Sequence, residues 1–398
     1  AGLLINFLIV GVRGPEALGV YSQVFAVFVI LSQVAVVGLH QSSLKHVSHE
    51  SNDLNAVADI LAAAMLLLVP VAGILSLLAA LFGPSTGRLV GSVEVGAGIV
   101  YAMPGMFFFV LNKVLLSTVN GLRHMRYYAV FRSLRFIFMP LVIIAVLVLD
   151  RSNAELALSL TISEVLLFFV LVVYLNGRVL PRPNWKQLRA RMGQHIDYAK
   201  RGALSGVLID VNARVDVLML GLFLSDTFVG IYSFAAVIAE GFAQIGIAIS
   251  YNVDPIVGRH LAQSRKEAVT KLARDIRRWL LPLSVALGGV AILVFPVLYR
   301  LMVGTTGLWA ALGAFAVLMT GYVVAAGYVP MRNILIVGGG PGLFTGVMLV
   351  TFISNVVLNV ALIPFIGLLG AAVATALSFV WKTYLITRFA DRHLGIVI

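Results

Sequence analysis

Apolar runs of about 20 residues recur along the whole chain, separated by short polar connections. A helix needs about 20 predominantly apolar residues to cross a hydrocarbon core of about 30 Å, so each run predicts one membrane span. Alternating segments of about ten residues, typical of an outer-membrane barrel, are not found in the sequence. Twelve spans are predicted, at residues 1–12, 18–39, 57–82, 96–118, 128–149, 155–176, 199–223, 228–250, 278–299, 306–327, 343–364 and 367–389.

Two stretches of the chain resemble each other at one constant offset. The segment GVYSQVFAVFVILSQ from Gly19 matches GIYSFAAVIAEGFAQ from Gly230, and nearly the same offset takes Pro70 to Pro282. Six predicted spans lie between the copies, which is an even number, so both copies have the same orientation. Parallel repeats of this kind are typical of two-lobed transporters whose substrate site lies between the lobes.

These patterns predict an all-α polytopic membrane protein with about twelve transmembrane helices, in two six-helix lobes that are parallel repeats. The predicted N-terminal lobe covers residues 1–177 and the C-terminal lobe residues 199–398. The sequence is already apolar at residue 1, and the repeat offset maps the first span onto the inner part of span seven. We therefore expect about a dozen residues of the first span to be missing before residue 1.

The segment 178–198 is predicted to be a cytoplasmic linker between the lobes. Trp185, Leu188, Met192 and Ile196 fall on one helical face among basic residues. An amphipathic helix with a basic polar face lies at the surface of an anionic leaflet, which is one interpretation of this linker. A plain basic connection is the alternative.

Composition and charge agree with a membrane protein. The chain is 60% hydrophobic and 12% charged, whereas soluble domains are about 25% charged. Its formal net charge of +12 arises mainly from even-numbered connections, so the positive-inside rule predicts that both termini lie in the cytoplasm. This explanation removes the need for a nucleic-acid partner. The predicted location is the inner (plasma) membrane. The absence of cysteine excludes thiolate chemistry, and no metal-ligand spacing or hydrolytic motif indicates an enzyme.

Five basic residues fall inside predicted spans. Lys113, Arg132, Arg135 and Lys382 lie within roughly 5–11 Å of a cytoplasmic span end, where long side chains can snorkel to the interface. Alternatively, these four residues form a cationic vestibule that faces the cytoplasm. Arg214 is deeper, about 14 Å from either end of its predicted span, and is a candidate for contact with an anionic substrate.

Four acidic residues are candidates for ion coupling. Asp210 lies one helical turn from Arg214, so a buried pair that fixes helix packing is the alternative function for both residues. Asp216, Glu164 and Glu240 also lie within spans, where carboxylates suit coupling to H⁺ or Na⁺. Pairing with neighbouring side chains is the competing interpretation. No other cofactor is predicted.

Four segments carry a resemblance to a known family. They are RGPEALGVYS at Arg13–Ser22, NGLRHMRYYAVFRS at Asn120–Ser133, ARVDVLMLGLFLSDTFVGIYSFA at Ala213–Ala235 and NVVLNVALIPFIGLLGAAVATALSF at Asn355–Phe379. In this order and spacing, the chain resembles polysaccharide flippases of the Wzx type, within the multidrug/oligosaccharidyl-lipid/polysaccharide exporter superfamily.

The resemblance implies two six-helix lobes around a central cavity. It also implies a flippase for a lipid-linked oligosaccharide on undecaprenyl diphosphate. The cargo would move from the cytoplasmic to the outer leaflet by alternating access, for cell-surface polysaccharide biosynthesis. Cationic cavity residues are a feature of such flippases, which suits Arg214 and the four cations Lys113, Arg132, Arg135 and Lys382. The implied partners are the lipid-linked oligosaccharide, membrane lipids, a polysaccharide polymerase and other assembly proteins. Such proteins often have Ser-Glu in the last repeat segment, where this chain has Ser378 and Phe379, so the coupling carboxylate stays open.

Three other functions remain as alternatives. A cation-coupled multidrug exporter of the same superfamily would use Asp210, Asp216 and Glu240 to bind an organic cation. A lipid II flippase is the second alternative. A membrane scaffold without cargo is the third, and the duplicated lobes and the deep charges argue against it.

Overall fold

The computed structural model describes residues 2–178, 181–184 and 186–398, except for the side chains of residues 177–178 and 200–205. The described residues are almost entirely helical and contain no strand, which confirms the predicted all-α class. Within them are fourteen α-helices: α1 Gly2–Val36, α2 Leu39–His49, α3 Leu54–Leu89, α4 Val93–Gly121, α5 Met125–Val148, α6 Leu158–Arg178, α7 Leu188–Asn212, α8 Val215–Phe223, α9 Asp226–Ala262, α10 Lys266–Met302, α11 Leu308–Ala326, α12 Ile334–Val337, α13 Pro341–Ile366 and α14 Leu368–Phe389.

Ten helices in the described residues are long and apolar enough to cross a membrane. The difference from twelve has two causes. The first and second predicted spans form one continuous element, and the seventh is divided into two shorter helices. The other nine predicted spans each correspond to one membrane-crossing helix, so the protein is a multi-pass membrane protein.

The helix α1 contains a sharp break between the first two predicted spans. Gly14 has φ 80° and ψ −176°, a backbone conformation that a residue with a β-carbon rarely adopts. Pro15 follows it, and proline is well suited to the first turn of a helix because it needs no backbone donor there. The predicted spans 1–12 and 18–39 therefore lie on either side of this break.

The predicted seventh span, 199–223, is wrong as a single helix. The helix α7 ends at Asn212, Arg214 donates its backbone N–H to the Val211 carbonyl at 3.0 Å, and α8 begins at Val215. In the first turn of α8, the Asp216 carboxylate accepts the backbone N–H of Val217 at 2.8 Å. An acidic side chain stabilises a helix start, and four polar residues within seven positions make this stretch a poor continuous span. Arg214 consequently lies at a helix break, and depths counted along one helix do not apply to it.

The chain folds into two compact units. The first consists of the chain up to Val12 together with Val20–Arg214, and the second consists of Arg13–Gly19 together with Val215–Ile398. In the first unit, α4 packs against α2, α3 and α6, while α7 packs on α2 and α3. In the second unit, α14 packs against α11 and α13, and α11 also packs on α9 and α10. The units divide at Arg214, later than the predicted linker, and the predicted lobe limits stay a prediction.

Two glycines that match in the internal repeat lie at a very close helix crossing in the second unit. A β-carbon on Gly19 would lie 1.8 Å from the Asp226 carbonyl oxygen. A β-carbon on Gly230 would lie 1.7 Å from the Pro15 carbonyl oxygen. The contact is therefore reciprocal between repeat-equivalent positions. Small residues allow backbones to approach this closely in membrane proteins.

The predicted linker contains the first half of α7, and its packing face differs from the predicted apolar stripe. Leu188 is buried but Ile196 is 40% exposed, and Trp185 lies outside the described residues. The most buried side chain is His195, which contacts the Ser42 hydroxyl at 2.9 Å through Nδ1 and the Ile60 carbonyl at 3.0 Å through Nε2. This half of α7 is thus attached to α2 and α3 by polar contacts.

Candidate functional site

A network of five charged side chains lies inside the first unit. Lys113 on α4 lies close enough to Arg135, Glu164 and Asp210 to interact with them electrostatically. Asp210 in turn interacts with Arg214. The structure thus brings together five of the nine residues predicted for the site, from four different helices and the break after α7.

The centre of this network is an ion pair between Arg135 on α5 and Glu164 on α6. The Nε group of Arg135 contacts one carboxylate oxygen of Glu164, and Nη2 donates to the other oxygen at 3.0 Å. Asn112 donates its side-chain N–H to the same carboxylate at 2.9 Å and to the backbone carbonyl of Glu164 at 2.8 Å. Buried ion pairs are tolerated when such additional hydrogen bonds satisfy them. The Arg135 side chain therefore pairs inside the unit.

Aromatic rings support the three cations of this network. The Lys113 ammonium lies 4.8 Å and the Arg135 guanidinium 4.5 Å from the centre of the Phe109 ring. The Arg214 guanidinium lies 5.4 Å from the centre of the Phe25 ring. A cation over an aromatic face is attracted by the ring quadrupole, by about 0.5–2 kcal/mol depending on desolvation. The rings therefore stabilise positive charge away from water.

The two supporting rings belong to one aromatic series. Tyr21, Phe25 and Phe28 stack along α1 with centroid distances of 6.3 and 6.4 Å, and Phe28 contacts Phe109 of α4 at 5.1 Å. Sequence reasoning missed these aromatics. The signal was the helical spacing of the three aromatic residues on α1, because side chains three and four positions apart share one face.

Asp210 has a specific partner that sequence reasoning also missed as a site residue. The Gln33 side chain donates a hydrogen bond to the Asp210 carboxylate. Gln33 is buried on α1 and is one of the residues that recur in the internal repeat. The available signal was that this polar residue lies in an apolar span and recurs as Gln244 in the second copy of the repeat.

The structure places two of the four cations predicted at one level close together, and the predicted cationic vestibule stays a prediction. Lys113 and Arg135 lie together, but Arg132 is exposed on α5. Lys382 belongs to the second unit, where its ammonium lies 4.2 Å from the centre of the Phe379 ring. Phe379 itself is in edge-to-face contact with Tyr322 at 4.6 Å. Lys382 therefore has an aromatic environment of the same kind in its own unit.

Asp216 lies in a separate polar cluster of the second unit. Its carboxylate accepts hydrogen bonds from the Tyr232 hydroxyl at 2.5 Å and the Thr375 hydroxyl at 3.3 Å. The fourth predicted coupling residue, Glu240, is partly buried on α9. Among the described residues, no group of three or more histidine, cysteine or acidic side chains could hold a metal ion.

Sequence comparison relates this chain to polysaccharide biosynthesis. A family model described as "Polysaccharide biosynthesis protein" matches residues 1–259. A protein of Haloferax volcanii named "Probable low-salt glycan biosynthesis flippase Agl15" is 23% identical over 226 residues. That alignment includes 54% of this chain and 45% of the relative, so the chain matches less than half of that relative's length.

Structural comparison shows the fold. An inward-facing MATE-family multidrug resistance transporter of the MOP superfamily superposes with a TM-score of 0.79 at 14% identity, over 99% of this chain and 93% of the other. The lipid II flippase MurJ in an inward closed conformation superposes with a TM-score of 0.78 at 12% identity, over 98% of this chain and 85% of the other. At these identities the likeness establishes the fold alone.

Proposed function

Because the chain belongs to the polysaccharide biosynthesis protein family, we propose that it is a flippase for a lipid-linked oligosaccharide. The cargo would be an oligosaccharide on undecaprenyl diphosphate, which moves from the cytoplasmic to the outer leaflet for cell-surface polysaccharide biosynthesis. A diphosphate sugar cannot cross hydrocarbon unaided, because burying unpaired charge is very costly. The protein must therefore provide a polar path, and no covalent chemistry is required.

The charged network of the first unit is the observation that carries this proposal. It contains three cations, Lys113, Arg135 and Arg214, and two carboxylates, Glu164 and Asp210. The surplus positive charge would be neutralised by an anionic head group. Arginine and lysine are the side chains that recognise phosphate groups, arginine through paired N–H donors and lysine as a compact charge.

A cation exporter is less well supported by the same geometry. Two of its three predicted acids already accept hydrogen bonds, Asp210 from Gln33 and Asp216 from Tyr232 and Thr375. An organic cation at Asp210 would be repelled by the surplus positive charge of the network, whereas a diphosphate would be attracted to that charge. The MurJ likeness supports the fold of a lipid II flippase but carries no information about the sugar.

The transport cycle would be alternating access, with the site exposed to one side of the membrane and then to the other. H⁺ or Na⁺ coupling is proposed at Asp210, Asp216, Glu164 or Glu240, with no other cofactor. Movement of one charge across 100 mV supplies about 2.3 kcal/mol, which is enough to bias such a cycle. We place the protein in the inner membrane with both termini in the cytoplasm. A polysaccharide polymerase and other assembly proteins are its proposed partners.

The proposal is tested by depletion of the protein in its host, followed by lipid extraction and mass spectrometry. We expect one undecaprenyl-diphosphate oligosaccharide to accumulate, because its synthesis continues while its export stops. Re-expression of the protein should remove the accumulated lipid. If no glycolipid accumulates and the host instead becomes sensitive to cationic drugs, the protein is a drug exporter and the proposal is wrong.

A further inference from the structure

The contact between Arg135 and Glu164 uses only one edge of the guanidinium group. Glu164 contacts the edge formed by Nε and Nη2. Arginine has five N–H donors in a planar fork, so this contact leaves the edge formed by Nη1 and the second N–H of Nη2. Within the described part of the chain, no residue accepts a hydrogen bond from Nη1. The second edge is thus available for another acceptor.

The two side chains of the pair differ in their exposure. The side chain of Glu164 is 3% exposed and that of Arg135 is 18% exposed. The carboxylate therefore lies deeper in the unit, with part of the arginine nearer to its accessible surface. Arg135 is therefore the more accessible partner of the pair for an entering anion.

The orientation of Arg135 is constrained from several sides. Asn112 fixes the Glu164 carboxylate through one hydrogen bond and the α6 backbone through another. The Phe109 ring lies against the guanidinium at 4.5 Å. A side chain held in this way loses little rotational freedom when it binds a ligand, which favours binding.

We propose that Glu164 is a positioning residue that presents the free edge of Arg135 to a phosphate group of the cargo. This inference rests on the proposed function and names the part of the site that contacts the diphosphate. Paired N–H donors on one edge of a guanidinium match two oxygens of a phosphate group. Because Glu164 neutralises the charge of Arg135, the neighbouring Lys113 supplies the net positive charge at this position.

The proposal is tested by whether Glu164→Gln lowers or raises the affinity of the protein for pyrophosphate. Purified protein in lipid nanodiscs is titrated with radiolabelled inorganic pyrophosphate, in the wild type and in Glu164→Gln. If Glu164 positions Arg135, the variant should bind pyrophosphate about tenfold more weakly, although it gains positive charge. Tighter binding in Glu164→Gln would mean that Glu164 masks Arg135, and would overturn the proposal. Unchanged binding would also overturn it.

Control variants distinguish a positioning role of Glu164 from a general effect of its substitution on the structure. In an Arg135→Gln background, Glu164→Gln should have no further effect, because its action passes through Arg135. Glu155→Gln removes a carboxylate that pairs with Arg151 at 3.1 Å outside the network, and should leave binding unchanged. Additional weakening in the Arg135→Gln background would indicate a purely structural role for Glu164.

A second variant covers the case in which Glu164→Gln does not fold. Asn112→Leu keeps the charge of the network but releases the Glu164 carboxylate, and should weaken pyrophosphate binding in the same direction by a smaller factor. Wild-type affinity in this variant would contradict the proposal. If wild-type protein binds neither pyrophosphate nor a polyprenyl-diphosphate lipid, the proposed function itself is wrong, which is a different outcome from failure of the positioning role.

Discussion

The buried pair of Arg135 and Glu164 determines how single residues in the first unit respond to mutation. Removal of one partner of a buried ion pair leaves an uncompensated charge, which typically costs about 3–5 kcal/mol. We therefore expect Arg135→Leu and Glu164→Leu each to lower the thermal unfolding temperature of the protein in detergent. Circular dichroism measures this temperature. The double variant should lose less stability than the sum of the single variants, because it leaves no unpaired charge. Strictly additive losses would show that the pair is not coupled.

His195 makes the docking of α7 sensitive to pH. The Ile60 carbonyl can only accept, so Nε2 carries the proton and Nδ1 accepts the Ser42 hydroxyl in the neutral side chain. Burial, with His46 and Arg191 nearby, lowers the pKa of His195 below its usual value of 6.5. Docking is therefore fully favourable above pH 6.5 and weakens as the pH falls below it, because undocked His195 then gains a proton.

Hydrogen exchange of residues 188–198 measures this effect. Protection should fall by up to about tenfold for each pH unit below 6.5, until the lowered pKa is reached. The pH dependence should be smaller in His195→Asn, which has no titrating ring. Equal protection of wild-type protein at pH 7.5 and 5.5, after correction for intrinsic exchange, would refute the prediction.

At the scale of elements, the close helix crossing at Gly19 and Gly230 does not leave room for larger side chains at these two positions. Gly19→Ala or Gly230→Ala would place a methyl group less than 2 Å from a backbone carbonyl, so the helices would have to separate. Each variant should have a lower thermal unfolding temperature than the wild type. Gly346→Ala is the matched control, because nothing lies within 4 Å of its β-carbon position and alanine favours a helix over glycine by about 1 kcal/mol. Equal behaviour of all three variants would contradict the close packing.

At the scale of the whole molecule, Arg214 tests the sign of the cargo. Its guanidinium lies over Phe25 and interacts with Asp210, so Arg214→Glu would place a second negative charge beside the first. We expect this variant to fail to remove the accumulated glycolipid from depleted cells, as measured by mass spectrometry. Arg88→Glu is the control. It reverses the charge of an exposed arginine that donates a hydrogen bond to Ser85, and it should restore export. Full export by Arg214→Glu would exclude Arg214 from the path of an anionic head group.

The sequence alone was sufficient for the membrane class, nine of the twelve spans and the internal repeat. These features depend on local apolar runs and on residue identities at one offset, so they can be read without knowledge of distant contacts. The sequence also identified the charged residues within the spans as candidate site residues, because charged residues are unusual in apolar runs. The break at Arg214 was not predicted, since the apolar character continues across it.

Only the tertiary structure decided which charges pair. Glu164 contacts Arg135, 29 positions away, and Asn112, 52 positions away, while Gln33 contacts Asp210 across 177 positions. Local periodicity shows which face of a helix a residue occupies but not which helix packs against that face. The distinction between Arg135 in a buried pair and exposed Arg132 on the same helix therefore depended on the packing of α4, α5 and α6. Charge placement is local information, whereas charge compensation is a property of helix packing.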